Sequence, residues 1–191
     1  MTDQINGLFS PFLRAQRIKA AIPYLEGRIL DFGCGIGSLA DLVPAGRYVG
    51  VDIDKVSVQT AQKRFPEHYF FTVNEFETEG LFDTIVSLAV IEHVVNPEEL
   101  MGYFVRMLQP SGRIVLTTPN PRYDIFHNVG ANFGLFSKEG HDEHQSLMDS
   151  TNLQDLAVTC DLTLALYRRF LFGANQLAIY ETPRSVSGNA R

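Results

Sequence analysis

Cysteine is scarce in this chain. Cys34 and Cys160 are its only two in 191 residues, and their separation matches no paired motif. A disulfide framework or a structural zinc site needs clustered cysteines, so neither is expected, and a reducing compartment suits the chain. No apolar run approaches the roughly 18 residues that span a bilayer. Residues 1–10 lack the basic start and apolar core of a secretory signal, so the cytoplasm is the expected address and no membrane partner is expected. Basic clusters are missing as well: none exceeds the Arg168-Arg169 pair, and the formal net charge is −6. A nucleic-acid backbone is normally met by a concentrated basic surface, which disfavours DNA or RNA as substrate. No internal repeat is visible. What remains is an ordinary globular composition, 45% hydrophobic and 20% charged, at a length that suits one domain over residues 1–183 and a polar tail over 184–191.

Along the chain, strand and helix signals alternate. Ser10-Pro11 reads as a helix start, and Leu13, Ile18, Ala21 and Leu25 recur at helical spacing, predicting a helix over about 11–25. Short apolar strands are predicted at 28–32, 48–52, 69–73, 82–88 and 113–118, the last after a Pro110–Gly112 turn. Between them the pattern predicts a short helix over 36–43 and another from Asp54 to about Arg64. A third starts at Asn96-Pro97-Glu98-Glu99, an N-cap with proline in the first turn and an acid three residues on, and buries Leu100, Phe104 and Leu108. Five strands with intervening helices predict a parallel sheet covered on both faces. The end of the chain differs. After a helix capped by Asp149, two strand-like runs at 162–170 and 175–181 are joined too tightly for a parallel crossover and must form a hairpin. The expected fold is therefore α/β and Rossmann-like, with a seven-stranded, mostly parallel sheet ending in an antiparallel hairpin.

The chemistry concentrates where the first strand ends. Ile29-Leu30-Asp31-Phe32-Gly33-Cys34-Gly35-Ile36-Gly37 carries glycines at the carboxyl edge of the sheet, the place where open α/β proteins bind ligands. Asp52 closes the second strand 19 residues after Gly33 and can accept both hydroxyls of a ribose. A dinucleotide fingerprint, G-x-G-x-x-G, would place its third glycine at Ser38, whereas the glycines here run G-x-G-x-G. An acid at Asp31 would also sit badly against a pyrophosphate but well against an ammonium group. Both points favour S-adenosyl-L-methionine, which has an amino-acid end and no phosphate, over NAD(P) and an oxidoreductase.

Leu30-Asp31-Phe32-Gly33-Cys34-Gly35-Ile36-Gly37 resembles the first motif of the class I S-adenosylmethionine-dependent methyltransferases, and Val49-Gly50-Val51-Asp52-Ile53 resembles the second. Phe82-Asp83-Thr84-Ile85-Val86-Ser87-Leu88 with Ile91-Glu92-His93-Val94 is similar to the type 11/12 and ubiquinone-biosynthesis O-methyltransferase-like branch, and Leu108-Gln109-Pro110-Ser111-Gly112-Arg113 to its LxPGG turn. The resemblance is specific over about 27–120. It implies that Asp31, Gly33, Cys34 and Gly35, with Gly37 in the same loop, hold the methionine end. It further implies that Asp52 takes the ribose, Ile53 packs on adenine, Asn74 reads the adenine amino group, and Leu88 lies near the methyl.

Methyl transfer from a sulfonium needs an in-line acceptor and a dry site, and a base only where the nucleophile must lose a proton. His93 is the candidate base; equally, Glu92-His93 can pin the local turn. Relatives that bind a divalent metal carry Glu-x-x-Glu-His here, and this chain, with Ala89-Val90-Ile91-Glu92-His93, lacks the first carboxylate, so no metal is expected. Residues 119–147 combine Tyr123, Phe126, Phe133 and Phe136 with His127, His141 and His144. That stretch reads either as a lid and acceptor pocket or as aromatic packing beside a solvated loop. The acceptor is expected to be a small molecule, with a carrier-bound or macromolecular one left open. The remaining alternative is a binding or regulatory protein that keeps the fold and takes S-adenosyl-L-methionine or S-adenosyl-L-homocysteine without turnover.

Overall fold

The computed structural model describes residues 2–77, 80–121 and 148–183. Among them seven strands form one sheet: β1 (Ile29–Phe32), β2 (Tyr48–Asp52), β3 (Tyr69–Thr72), β4 (Phe82–Leu88), β5 (Leu108–Pro119), β6 (Thr163–Phe170) and β7 (Asn175–Glu181). Their order is β3-β2-β1-β4-β5-β7-β6. The first five are mutually parallel, and β7 runs antiparallel between β5 and β6. Four α-helices lie wholly among the described residues: α1 (Thr2–Ala21), α2 (Lys55–Arg64), α3 (Pro97–Arg106) and α4 (Ser150–Thr159).

Strand alternation divides the core into two layers. Leu30, Val51, Ile85, Ile114 and Leu116 face α3 and α4, meeting Met101, Phe104, Leu153 and Leu156. Their neighbours Ile29, Tyr48, Val86 and Val115 face the other way, against Ile18 and Ala21 of α1 and Val58 and Ala61 of α2. Burial on both faces is why these strands read as continuous apolar runs rather than as alternating ones. Helix starts follow their side chains. Asp54 accepts from the backbone N–H of Val56 and Ser57, Asn96 from that of Glu99, and Asp149 forms a capping box with Asn152.

Several expectations are corrected. Helix α1 begins at Thr2, not near residue 11, and Pro11 lies inside it. The φ of proline is helical, so one lost backbone donor does not require a break. The helix also ends at Ala21, and Pro23 belongs to a 3-10 turn, Ile22–Tyr24. No α-helix spans 36–43: that stretch is turns and a 3-10 turn, Ala40–Leu42, because Gly37 has φ +77° and its carbonyl accepts from Ala40 at i+3. The Pro110–Gly112 turn is a bulge within β5, where the register against β4 jumps from Phe82↔Leu108 to Thr84↔Arg113 and Ser111 takes φ +68°. Leu100 is only half-buried, while Phe104 and Leu108 are buried as expected. The expected hairpin is present as β6–β7. Residues 122–147, which carry nearly all of the proposed lid with His127, His141 and His144, lie outside the described residues, as do 184–191. No helix among the described residues is long and apolar enough to cross a membrane.

Candidate functional site

Strand order reverses between β1 and β4, so the crevice at their carboxyl ends is the topological switch point of the sheet. There β1 runs into the glycine loop. Gly33 and Cys34 both donate their N–H to the Val51 carbonyl, at 2.7 and 3.0 Å. Gly33 has φ +85°, and a Cβ on it would collide with Cγ2 of Val90, so this position requires glycine twice over. The loop is tied directly to the acid expected to serve it. Asp52 Oδ2 accepts from Gly35 N–H at 2.7 Å, and Asp52 Oδ1 from Asp54 N–H at 2.9 Å. Loop, acid and the cap of α2 are one hydrogen-bonded unit.

Two cavities flank this unit. The smaller, about 210 Å³, is lined by Asp31, Gly33, Cys34, Gly35 and Ser38 of the β1 region, by Arg14, Arg17 and Ile18 of α1, and by Leu88 and Ala89. The larger, about 800 Å³, is lined by Phe32, Gly33, Asp52, Ile53, Val73, Leu88, Ala89, Val90, His93, Val94, Val95 and Leu100. Gly33, Leu88 and Ala89 belong to both, so the cavities meet over the end of β4. Ala89 is held there at φ +59°, its N–H on the Thr117 carbonyl at 2.8 Å. A left-handed alanine is a strained residue, kept by its surroundings.

The small cavity is polar and bipolar. Asp31 is 3% exposed, and its Oδ2 accepts from the Tyr48 hydroxyl at 2.7 Å. Burial raises this carboxyl to about 7, against the Tyr48 hydrogen bond that lowers it, with a small further rise from the Asp52 charge. Opposite stand Arg14 and Arg17, three residues apart on one face of α1. One acid and two cations around a small volume fit a zwitterion, the acid toward an ammonium and the cations toward a carboxylate. Cys34 is no nucleophile, because burial, with the Asp31 and Asp52 charges, pushes its thiol far above its ordinary value. The large cavity is apolar apart from Asp52 and His93. Ile53, 85% exposed, and Val73 give it a flat aliphatic wall beside the Asp52 carboxylate, which suits a ribose carrying a purine.

Nearly all the residues expected from the sequence converge here: Asp31, Gly33, Cys34, Gly35 and Leu88 line the small cavity, and Asp52, Ile53 and His93 the large one. Gly37 and Asn74 do not. A Cβ on Gly37 would press on the rings of Phe65 and Phe70. Asn74 is exposed in the turn after β3 and lines neither cavity; its neighbour Val73 does. Sequence reasoning missed Arg14, Arg17 and Ala89. The i, i+3 arginines were a visible signal, but only the packing of α1 shows which way they face. Among the described residues no cluster of three or more His, Cys, Asp or Glu is placed to hold a metal.

A family model described as "Methyltransferase domain" matches residues 10–165. Among curated proteins, the chain is similar to the ubiquinone biosynthesis O-methyltransferase of Alkalilimnicola ehrlichii, 32% identical over 167 residues that cover 80% of this chain and 67% of that protein. It is also similar to the enzyme of the same name from Dechloromonas aromatica, 30% identical over 147 residues that cover 68% of this chain and 63% of that one. The chain thus spans about two thirds of the length of these relatives. Among solved structures, an S-adenosylmethionine-dependent methyltransferase from Mesorhizobium loti aligns with a TM-score of 0.69 at 15% identity, covering 88% of this chain and 97% of that one. Magnesium protoporphyrin IX methyltransferase from Synechocystis PCC 6803, crystallised with S-adenosylhomocysteine, aligns with a TM-score of 0.63 at 18% identity, covering 90% and 82%.

Proposed function

Since the chain belongs to the class I S-adenosylmethionine-dependent methyltransferases, we propose that it methylates a hydroxyl group of a small, largely apolar acceptor where its two cavities meet. When bound, S-adenosyl-L-methionine supplies an electrophilic methyl group on a sulfonium leaving group. The chain's own residues supply the rest. Asp31 takes the ammonium, Arg14 and Arg17 the carboxylate, Asp52 the ribose hydroxyls, and Ile53 with Val73 the purine. Leu88 and Ala89 then flank the point between the two ends.

The observation that carries this reading is the sharing of Leu88 and Ala89 by a zwitterion-sized polar cavity and a larger apolar one. A molecule spanning both presents its middle, the sulfonium, at that junction. Holding an acceptor in line there and excluding water is worth on the order of 7–11 kcal/mol in favourable cases. The acceptor side is apolar, with Val94, Val95 and Leu100 beside His93. His93 is the group placed to remove a proton from an attacking hydroxyl. Relatives named for O-methylation in ubiquinone biosynthesis support an oxygen nucleophile.

The test is transfer of labelled methyl from S-adenosyl-L-methionine to phenolic acceptors with and without an apolar tail. Turnover that improves with the tail, and falls in His93→Ala, is the expected result. Binding of S-adenosyl-L-homocysteine without transfer to any hydroxyl, but with transfer to an amine, would replace the oxygen acceptor with nitrogen.

A further inference from the structure

Behind the polar cavity lies a tyrosine that lines neither cavity. Tyr48 opens β2 and is 1% exposed, and its hydroxyl donates to Asp31 Oδ2 at 2.7 Å. Strand register makes this reach possible. In the parallel pair of β1 and β2, Ile29 lies opposite Tyr48 and Asp31 opposite Gly50, so Tyr48 and Asp31 share one face of the sheet. Between them stands Gly50, where a Cβ would meet the Phe70 ring at 2.6 Å and Cys34 Sγ at 3.0 Å. Glycine leaves that space to its neighbours, and the tyrosine hydroxyl reaches past it to the acid. The Tyr48 ring is packed by Phe70, with 5.6 Å between centroids, and edge-on by His68 at 5.5 Å.

This hydrogen bond matters because of what Asp31 must do. Burial favours its neutral acid, which cannot hold an ammonium. A hydroxyl that donates to one oxygen favours the carboxylate instead, and it leaves Oδ1 for the ligand. Tyr48 stays a donor throughout the neutral range, since burial and the Asp31 charge push its own hydroxyl well above its ordinary value. The other titratable groups facing Asp31 are Asp52 at the end of β2, whose charge opposes ionisation, and Cys34 of the glycine loop, which burial keeps neutral. Arg14 and Arg17 of α1 stand across the small cavity, with Arg17 Nε donating to Asn175 Oδ1 at 2.9 Å. From β4 the neighbour in register is the uncharged Val86.

From this geometry we infer that Tyr48 is a positioning residue for the methyl donor: its hydroxyl, bonded to one oxygen of Asp31, holds the carboxylate in the orientation and the charged form that take the ammonium. The inference rests on the methyl-donor reading above. Tyr48 touches neither the donor nor the reacting atoms; it acts through Asp31. The acid limit of donor binding is thereby set from behind the site. Strand β2 then serves the donor at both ends, with Tyr48 acting on the ammonium through Asp31 and Asp52 meeting the ribose.

The experiment is calorimetric titration of the full chain at pH 6 and pH 8 with two probes. S-adenosyl-L-homocysteine carries the ammonium; 5′-methylthioadenosine shares its adenosine and lacks that group. Tyr48→Phe removes the hydroxyl and keeps a ring for His68 and Phe70. Losing a hydrogen bond to the charged form displaces the ionisation of Asp31 upward by about one pH unit. Tyr48→Phe is therefore expected to weaken S-adenosyl-L-homocysteine about tenfold at pH 6 and about twofold at pH 8, and 5′-methylthioadenosine less than about twofold at either. Replacing tyrosine throughout by 3-fluorotyrosine, whose more acidic hydroxyl is the stronger donor, is expected to tighten S-adenosyl-L-homocysteine at pH 6 and serves if Tyr48→Phe does not fold. An equal loss at the two pH values, equal weakening of both probes, wild-type affinity in Tyr48→Phe, or unchanged affinity at pH 6 in the fluorinated chain would each overturn the inference while leaving the donor reading intact. Failure of the wild-type chain to bind S-adenosyl-L-homocysteine would overturn both.

Discussion

Asp31 is buried because it lies in a central strand, and it stays buried because Tyr48 donates to it. With its carboxyl raised to about 7 by burial, Asp31 is expected to titrate near neutral pH. Only the carboxylate holds an ammonium. Affinity for S-adenosyl-L-homocysteine is therefore expected to fall toward tenfold per unit as pH drops below about 7. Calorimetry between pH 5.5 and 8 would show this loss; a flat profile would remove Asp31 as the ammonium partner. The same group acts oppositely on folding. An acid whose folded value lies above its unfolded value of 3.8 binds more protons when folded, so its contribution to stability declines from pH 4 to 7 and stays unfavourable above. Asp31→Asn still accepts the Tyr48 hydrogen bond and avoids that cost. At pH 8 it is expected to raise the Tm of the empty protein, at roughly 2–4 °C per kcal/mol gained, while abolishing binding. A lowered Tm in thermal denaturation would contradict this. Asp31 and Asp52 stood out in the sequence because each lies at the carboxyl end of a strand beside the glycine loop, and each lines one of the two cavities there. The Arg17–Asn175 contact did not, since its partners stand 158 residues apart and only the packing of α1 on β7 brings them together.

Among the elements, the glycine loop is the least tolerant of change. Gly33→Ala would need a side chain at φ +85° and displacement of Val90, a wall of the larger cavity. Strain of this type costs of order 1–3 kcal/mol. Chemical denaturation is expected to show that loss together with weaker donor binding; unaltered stability would mean that the loop relaxes without cost. Turn chemistry marked most element ends in the sequence, since Asp54, Asn96 and Asp149 cap the helices they announce. Where marks misled, the cause was local. Ser10-Pro11 has the form of a start signal within a helix that already runs, and the spacing over 36–43 looked helical although Gly37 holds a left-handed conformation.

At the scale of the whole molecule, the parallel core and its terminal hairpin were readable because doubly buried strands are apolar runs of strand length and short joins cannot cross over. The place of the candidate site came with the fold, since the order β3-β2-β1-β4-β5-β7-β6 sets the switch point at the glycine loop. The apolar wall of the larger cavity was less legible, because Val94, Val95 and Leu100 look in sequence like any other core segment. Central to the proposed function is that Asp52 and the glycine loop form one adenosine-binding unit. Titration of wild-type protein and Asp52→Ala with S-adenosyl-L-homocysteine tests it most directly. One site per chain is expected, with at least about a tenfold loss in the variant, the scale of 1.4 kcal/mol. Equal affinity in the two proteins, or binding of NADH in place of S-adenosyl-L-homocysteine, would contradict it.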